Sequence, residues 1–299
     1  MKTNYNKFDI LISTHCNMNC KYCIMRDHID GSMIDINAII HTLFLYDNVT
    51  EVHFAGGEPF YNTSTMYNMY RIIKFLEKYR VQYKITSNLT SVDFSKWNNH
   101  PEFRYVLDHI DMLSTSFDNN GIRFTSIDQI VKWYKNIKWL RENTNIKLNC
   151  FCILSEDIVG DNDSSSKTAE DYDRVLSKLF DSYRFIPLMN SDNCISNESL
   201  KHFFGFYTPY INIPSGKNNT RRDIEDNNYA NCMYNGKMIC IDGNGKVIKN
   251  GCFIDNNCLA MHSDCVLCKM SSLCGTRCKA VRKCTLDTIN KLKKYYSLQ

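Results

Sequence analysis

Apolar residues along this chain arrive in two rhythms, short continuous runs and longer stretches in which they recur every three or four positions. The runs at 8–13, 49–55, 81–87, 112–116, 147–154 and 183–187 predict strands, and the periodic stretches at 34–46, 65–79, 127–141 and 170–180 predict helices. Strands alternating with helices predict a parallel α/β fold. Six such repeats fall short of the eight that close a TIM barrel, and ligands in folds of this kind gather at the carboxyl ends of the strands. The polar stretch 155–168, with Asp161-Asn162-Asp163 and Ser164-Ser165-Ser166, predicts a loop after the fifth strand, either a plain surface insertion or a gate for substrate. A second polar stretch, 214–228, rich in Asn, Lys and Arg, predicts a linker between a first domain at 1–213 and a second at 229–299. In the second, runs at 237–241 and 246–248 flank Asp242-Gly243-Asn244-Gly245, a hairpin signal that places Cys232 and Cys252 at its two mouths.

Composition narrows the class. The chain has 299 residues, 43% of them hydrophobic, enough for a real core. Residues 1–12 include Lys2, Lys7 and Asp9 and no long apolar run, so neither a signal peptide nor a membrane span is expected, and the protein reads as cytoplasmic. Its fifteen cysteines then read as metal ligands rather than as a disulfide framework. The net charge of +4 is modest, and the basic stretch 279–294 has few interleaved aromatics, which reads as a solvated helix face rather than a nucleic-acid footprint.

The chemistry begins in Thr14-His15-Cys16-Asn17-Met18-Asn19-Cys20-Lys21-Tyr22-Cys23. Four cysteines complete an ordinary electron-transfer cluster, so three at this spacing leave one iron open; as a zinc site the triplet would also be incomplete. Glu51-Val52-His53-Phe54-Ala55-Gly56-Gly57-Glu58-Pro59 reads as an apolar strand ending in two glycines, an acid and a proline. The glycines let backbone approach a ligand, the proline stiffens the exit, and the carboxylate can accept from an ammonium group. Together these segments resemble the signatures of the radical S-adenosylmethionine (radical SAM) superfamily. The resemblance implies an open partial (β/α)6 barrel, a 4Fe-4S cluster on Cys16, Cys20 and Cys23, and SAM chelating the open iron. It further implies that Gly56, Gly57 and Glu58 hold the amino group of SAM and that Tyr22 packs near the adenine. Thr86-Ser87-Asn88 looks like the Thr-Asn-Gly strand end of relatives, and Ser116-Phe117-Asp118 is similar to their Ser-Leu-Asp end, which adds Asn88, Ser116 and Asp118 to the expected cofactor-binding residues.

Nine cysteines lie between Cys232 and Cys284. Cys265-x2-Cys268-x5-Cys274-x3-Cys278, with Cys284 after it and Cys232 and Cys252 before it, resembles the SPASM extension of radical SAM enzymes, which binds two auxiliary 4Fe-4S clusters. Six residues separate Gly245 from Cys252 where that family usually has four. By the resemblance, Cys265, Cys268, Cys274 and Cys284 hold one auxiliary cluster and Cys232, Cys252 and Cys278 the other, its fourth ligand being Cys240, Cys258 or substrate. Sites of four thiolates suit zinc as well. On the fifth strand, Cys150 and Cys152 are two apart and share a face. If that face lines the barrel they are candidate catalytic hydrogen donors; otherwise they are small buried hydrophobes.

The resemblance implies an enzyme of oxidoreductase or epimerase type that abstracts hydrogen from a substrate. SPASM-type relatives most often modify a peptide or protein by crosslinking, epimerisation or oxidation, whereas short members dehydrogenate or epimerise aminoglycoside-like small molecules. An electron donor such as flavodoxin or ferredoxin is expected. Only seven residues precede the first strand, so any leader-peptide-binding domain is expected as a separate protein. A non-catalytic zinc or electron-transfer protein is the competing class.

Overall fold

A computed structural model of the chain describes residues 7–20, 22–23, 25–118, 123–154, 162–187 and 238–248. The linker 214–228, the basic stretch 279–294, and Cys232, Cys252, Cys258, Cys265, Cys268, Cys274, Cys278 and Cys284 lie outside them.

Six strands follow one another in chain order, β1 (Lys7–Ser13), β2 (Glu51–Gly56), β3 (Gln82–Thr86), β4 (Ile110–Phe117), β5 (Lys147–Leu154) and β6 (Ser182–Pro187). Each is paired in parallel with the next, as the alternation of strand and helix requires. The connecting helices are α1 (Ile36–Phe44), α2 (Thr63–Leu76), α3 (Phe94–Trp97), α4 (Pro101–His109), α5 (Ile127–Asn143) and α6 (Asn162–Leu179). Their starts are written in side chains. Asp35 caps α1 by accepting from the backbone N–H groups of Asn37 (3.1 Å) and Ala38 (3.0 Å). Asn62 and Thr65 exchange bonds of 3.0 and 3.2 Å in a capping box at α2.

Two elements depart from expectation. Between β3 and β4 the chain forms α3 and α4, which the apolar rhythm did not announce because one is four residues and the other nine. Their signals are local: Asp93 accepts from Ser95 N at 3.1 Å, and Pro101 occupies the first turn of α4. The loop expected at 155–168 is helical from Asn162 onward. Asp and Ser suit the amino-terminal turn of a helix, so their run marks its start rather than a gate.

The core lies between the sheet and the helices. Phe60, Phe94 and Phe103 are all but fully buried and meet edge to face at centroid distances of 5.0–5.8 Å. Each such ring contributes roughly 1.5–3 kcal/mol by burial. The opposite face of the sheet is polar, with Lys84 Nζ 2.7 Å from Glu51 and Ser182 Oγ donating to Asn149 at 2.8 Å.

The hairpin around Asp242 forms as β7 (Ile239–Ile241) and β8 (Val247–Ile248). Asp242 Oδ1 accepts from the N–H groups of Asn244 and Lys246, each at 2.9 Å. Instead of standing in a separate domain, β7 extends the main sheet by pairing in parallel with β1. Its turn seats on α1: Asp35 N donates to Gly243 O (2.7 Å) and Thr42 Oγ1 to Gly245 O (2.6 Å). Gly245 has φ +76°, and a Cβ there would overlap Ala38. Residues 238–248 therefore belong to the main sheet, on the far side of the expected boundary at 229. Among the described residues no helix is long and apolar enough to cross a membrane.

Candidate metal and cofactor centre

The cysteine loop leaves β1 where an extra residue between Leu11 and Ser13 breaks the register with β2. It is clasped by the segment after β2, since Gly57 N donates to Ser13 O and Glu58 N to His15 O, both at 2.7 Å. This clasp demands glycine twice. Gly56 sits at φ +130°, and a Cβ on Gly57 would overlap the His15 carbonyl. The sequence pattern of strand, two glycines and acid thus encodes a close backbone approach to the cysteine loop.

Cys16, Cys20 and Cys23 are all free thiols on this loop, Cys20 buried and the others partly so. Burial pushes the Cys16 thiol up to about 11, opposed by the Met18 N–H and reinforced by Glu58, Cys20 and Cys23. Cys20 and Cys23 are raised too, chiefly by burial, with Arg123 opposing in both. The mutual influence of the thiols marks them as one cluster of side chains. Among the described residues, no three His, Cys, Asp or Glu side chains converge on a single ion position. A cubane does not ask for that, because each thiolate takes a separate iron at its own corner. The donor set therefore fits a cluster with one open iron better than one metal ion.

The expected cofactor residues are largely engaged with the protein. The Glu58 carboxylate is 1% exposed; Oε1 accepts from Phe60 N (2.9 Å) and Ser87 Oγ (2.7 Å), and Oε2 from Asn88 N (2.6 Å). Burial raises its pKa while those three donors oppose. Such a carboxylate is a strut between the glycine turn and the end of β3, with Oε2 accepting a single bond. Asn88 Nδ2 lies 3.6 Å from Cys16 Sγ and 2.9 Å from Asn17 Oδ1, while its Oδ1 accepts from Thr90 N at 2.7 Å. Tyr22 OH donates to Asp118 Oδ2 at 2.6 Å, so this pair ties the cysteine loop to the end of β4. Ser116, paired with Phe151 in the sheet, is partly exposed at the end of β4.

Cys150 and Cys152 are corrected by register. Thr115 and Phe117, their partners on β4, face the helices: Trp133 of α5 donates from Nε1 to Thr115 Oγ1 at 3.1 Å and stacks on Phe117 at 5.0 Å. The alternate positions, Ser114 and Asn149, meet on the barrel side at 3.3 Å. Both thiols are 0% exposed, and burial pushes both well up. They are core residues on the helix side of the sheet. Cys240, a candidate auxiliary ligand, is fully buried in β7 opposite Asp9 of β1.

Two features escaped the sequence. Asp9 Oδ1, the His53 ring and Thr86 Oγ1 form a chain at 2.7 and 2.8 Å across β1, β2 and β3, bracing the polar face of the sheet. Arg123 is 9% exposed, with Nη1 4.0 Å from Cys20 Sγ and its backbone N–H on Asp118 Oδ1 at 3.2 Å, and the Tyr22 hydroxyl and the Asp118 carboxylate act on its charge. Its buried Nε has no partner. An orphaned cationic donor beside three thiols suits an anionic group, which is what a thiolate cluster and the carboxylate of SAM both present. The one sequence signal was a lone cation between Asp118 and Asp128.

Residues 10–158, which hold this loop, the glycine turn and the first five strands, match the sequence model of the Radical SAM superfamily, so the chain carries a domain of that superfamily. The family implies a 4Fe-4S cluster and SAM. SuiB of Streptococcus suis, solved bound to S-adenosylmethionine, shares the fold at a TM-score of 0.55 and 14% identity, over 82% of this chain and 60% of that one. A second SuiB structure matches at 0.50 and 13% with the same coverage. This chain thus spans about 60% of the length of the solved structures it resembles. No curated protein matches it in sequence.

Proposed function

We propose that this protein is a radical SAM enzyme whose substrate is a peptide or protein, modified by crosslinking, epimerisation or oxidation. One observation carries the radical chemistry: three free thiols on a single loop at the carboxyl end of β1, clasped by Gly57 and Glu58 and flanked by a buried cation. The other described thiols sit inside strands, so the triplet has no fourth cysteine among the described residues.

When bound, the cluster and SAM supply a 5'-deoxyadenosyl radical able to abstract hydrogen from an unactivated carbon. The chain's own residues do the rest. Cys16, Cys20 and Cys23 would ligate three irons, each thiol giving up its proton as it takes its iron. Asn88 and Arg123 present donors to two of the sulfurs. The Glu58 strut and the Tyr22–Asp118 bond hold the loop against β3 and β4, and Ser116 offers a hydroxyl at the strand ends where substrates of such barrels gather. The SAM-bound relative with the same fold supports SAM as the co-substrate. A one-electron donor such as flavodoxin or ferredoxin would serve it in the cytoplasm, with a separate leader-binding protein for a peptide. The carboxyl-terminal cysteines, in the SPASM reading, would hold auxiliary clusters that pass electrons to or from the substrate.

The test is anaerobic reconstitution followed by iron and sulfide assay and by quantification of 5'-deoxyadenosine from SAM under reductant. The wild type should release it slowly without substrate, and Cys20→Ala should not. Full cleavage by Cys20→Ala would overturn the assignment, as would a wild type that takes up zinc in place of iron.

A further inference from the structure

Arg123 is a charge with too few partners. Its guanidinium makes no ion pair with a carboxylate among the described residues, yet it is nine-tenths buried, in a place where an uncompensated cation is costly. Asp118, the nearest acid on its segment, spends Oδ1 on the Arg123 backbone N–H and Oδ2 on Tyr22. The guanidinium instead meets the Tyr22 side chain and Cys20 Sγ, with the ring of Phe124 5.7 Å away. The buried Asp118 carboxylate also acts on its charge, and the contact left over from these partners is the one to Cys20 Sγ at 4.0 Å.

We infer that Arg123 is a positioning residue for electron uptake at the Cys16–Cys20–Cys23 centre, its buried charge raising the potential at which that centre accepts one electron. The inference rests on the reading of the triplet as a cluster site. The reason is Coulombic. A centre on three thiolates is anionic, and adding an electron increases its negative charge. A fixed cation 4.0 Å from one ligating sulfur favours the reduced form, and burial keeps salt from screening it. Hydrogen bonds and charges around cluster sulfurs are known levers on potential. Asn88 acts on Cys16 in the same sense, but as a neutral donor at 3.6 Å it carries the smaller share.

The experiment is an anaerobic potentiometric titration of full-length reconstituted protein without SAM, following the reduced-cluster signal by electron paramagnetic resonance. The signal belonging to the triplet is the one whose shape changes when SAM is then added. Arg123→Gln, which keeps a polar side chain and removes the charge, is expected to lower the reduced-to-oxidised ratio at a fixed potential about tenfold, equivalent to a midpoint about 59 mV more negative for a one-electron couple. Arg123→Lys, which restores charge on a looser stem, should fall between Gln and wild type. Equal midpoints for wild type and Arg123→Gln, at equal iron content, would overturn the inference. Should Arg123→Gln fail to assemble its centre, Arg123→Lys decides: a smaller downward shift supports the inference, and an unchanged or higher potential overturns it. A wild type with no SAM-responsive signal would instead overturn the reading of the triplet itself, which separates the two failures.

Discussion

Glu58 has a structural task beside any it has toward a ligand. A carboxylate after two glycines is equipped to accept hydrogen bonds, and it accepts three, all from this chain. Glu58→Gln replaces one acceptor oxygen with an NH2 group facing donors, so buried N–H or O–H groups go unsatisfied at about 1–3 kcal/mol. The variant's iron-free form should melt several degrees below wild type, and its SAM affinity should fall only as far as its loop is loosened. An unchanged melt with SAM binding abolished would make the ammonium of SAM its chief partner. The three cysteines also predict a pH response. Their folded-state pKa values lie above the ordinary 9.0, Cys16 at about 11, so their stabilisation is complete below pH 9 and lost as pH rises through 11. Thermal melts of iron-free protein should therefore decline from pH 9 to 11, with a shallower decline in Cys16→Ala. The cysteine spacing was legible because it is local in sequence. Arg123 and the Asp9–His53–Thr86 chain were not, since each joins residues from separate strands or loops.

Elements were legible where one rhythm persisted, as in α5, whose buried Trp133, Ile137 and Leu140 keep helical spacing. They were lost where helices were too short to show a period, as in α3 and α4. Strand faces posed a different problem. Cys150 and Cys152 were correctly placed on one face of β5, but their spacing does not say which face, and only the register with β4 tells. The glycine turns are the sharpest test at this scale. Gly57→Ala forces a Cβ onto the His15 carbonyl and should open the clasp on the cysteine loop, lowering iron uptake sharply while the far-ultraviolet circular dichroism stays that of the wild type. Wild-type iron content in that variant would show that the clasp does not shape the loop.

At the scale of the whole molecule, the hairpin decides what the barrel needs from the distal part of the chain. The linker at 214–228 suggested that everything beyond 229 forms a second unit, because a hairpin signal says nothing about which sheet it will join. Pairing of β7 with β1 changes that expectation. Without β7, one edge of β1 loses its partner, and Ile239, Cys240 and Ile241, all buried, leave the protein's interior. The turn also satisfies Asp35 N and the Thr42 hydroxyl on α1. A chain ending at residue 248 should therefore remain soluble, bind one 4Fe-4S equivalent and cleave SAM slowly, whereas one ending at 237 should aggregate or melt far lower, since an unpaired strand edge invites association. Size-exclusion chromatography, iron assay and 5'-deoxyadenosine release on the two truncations would check this. Equal behaviour of both would mean that the hairpin is an accessory to the sheet, and failure of both would mean that the cysteine-rich end is needed for the barrel to stand.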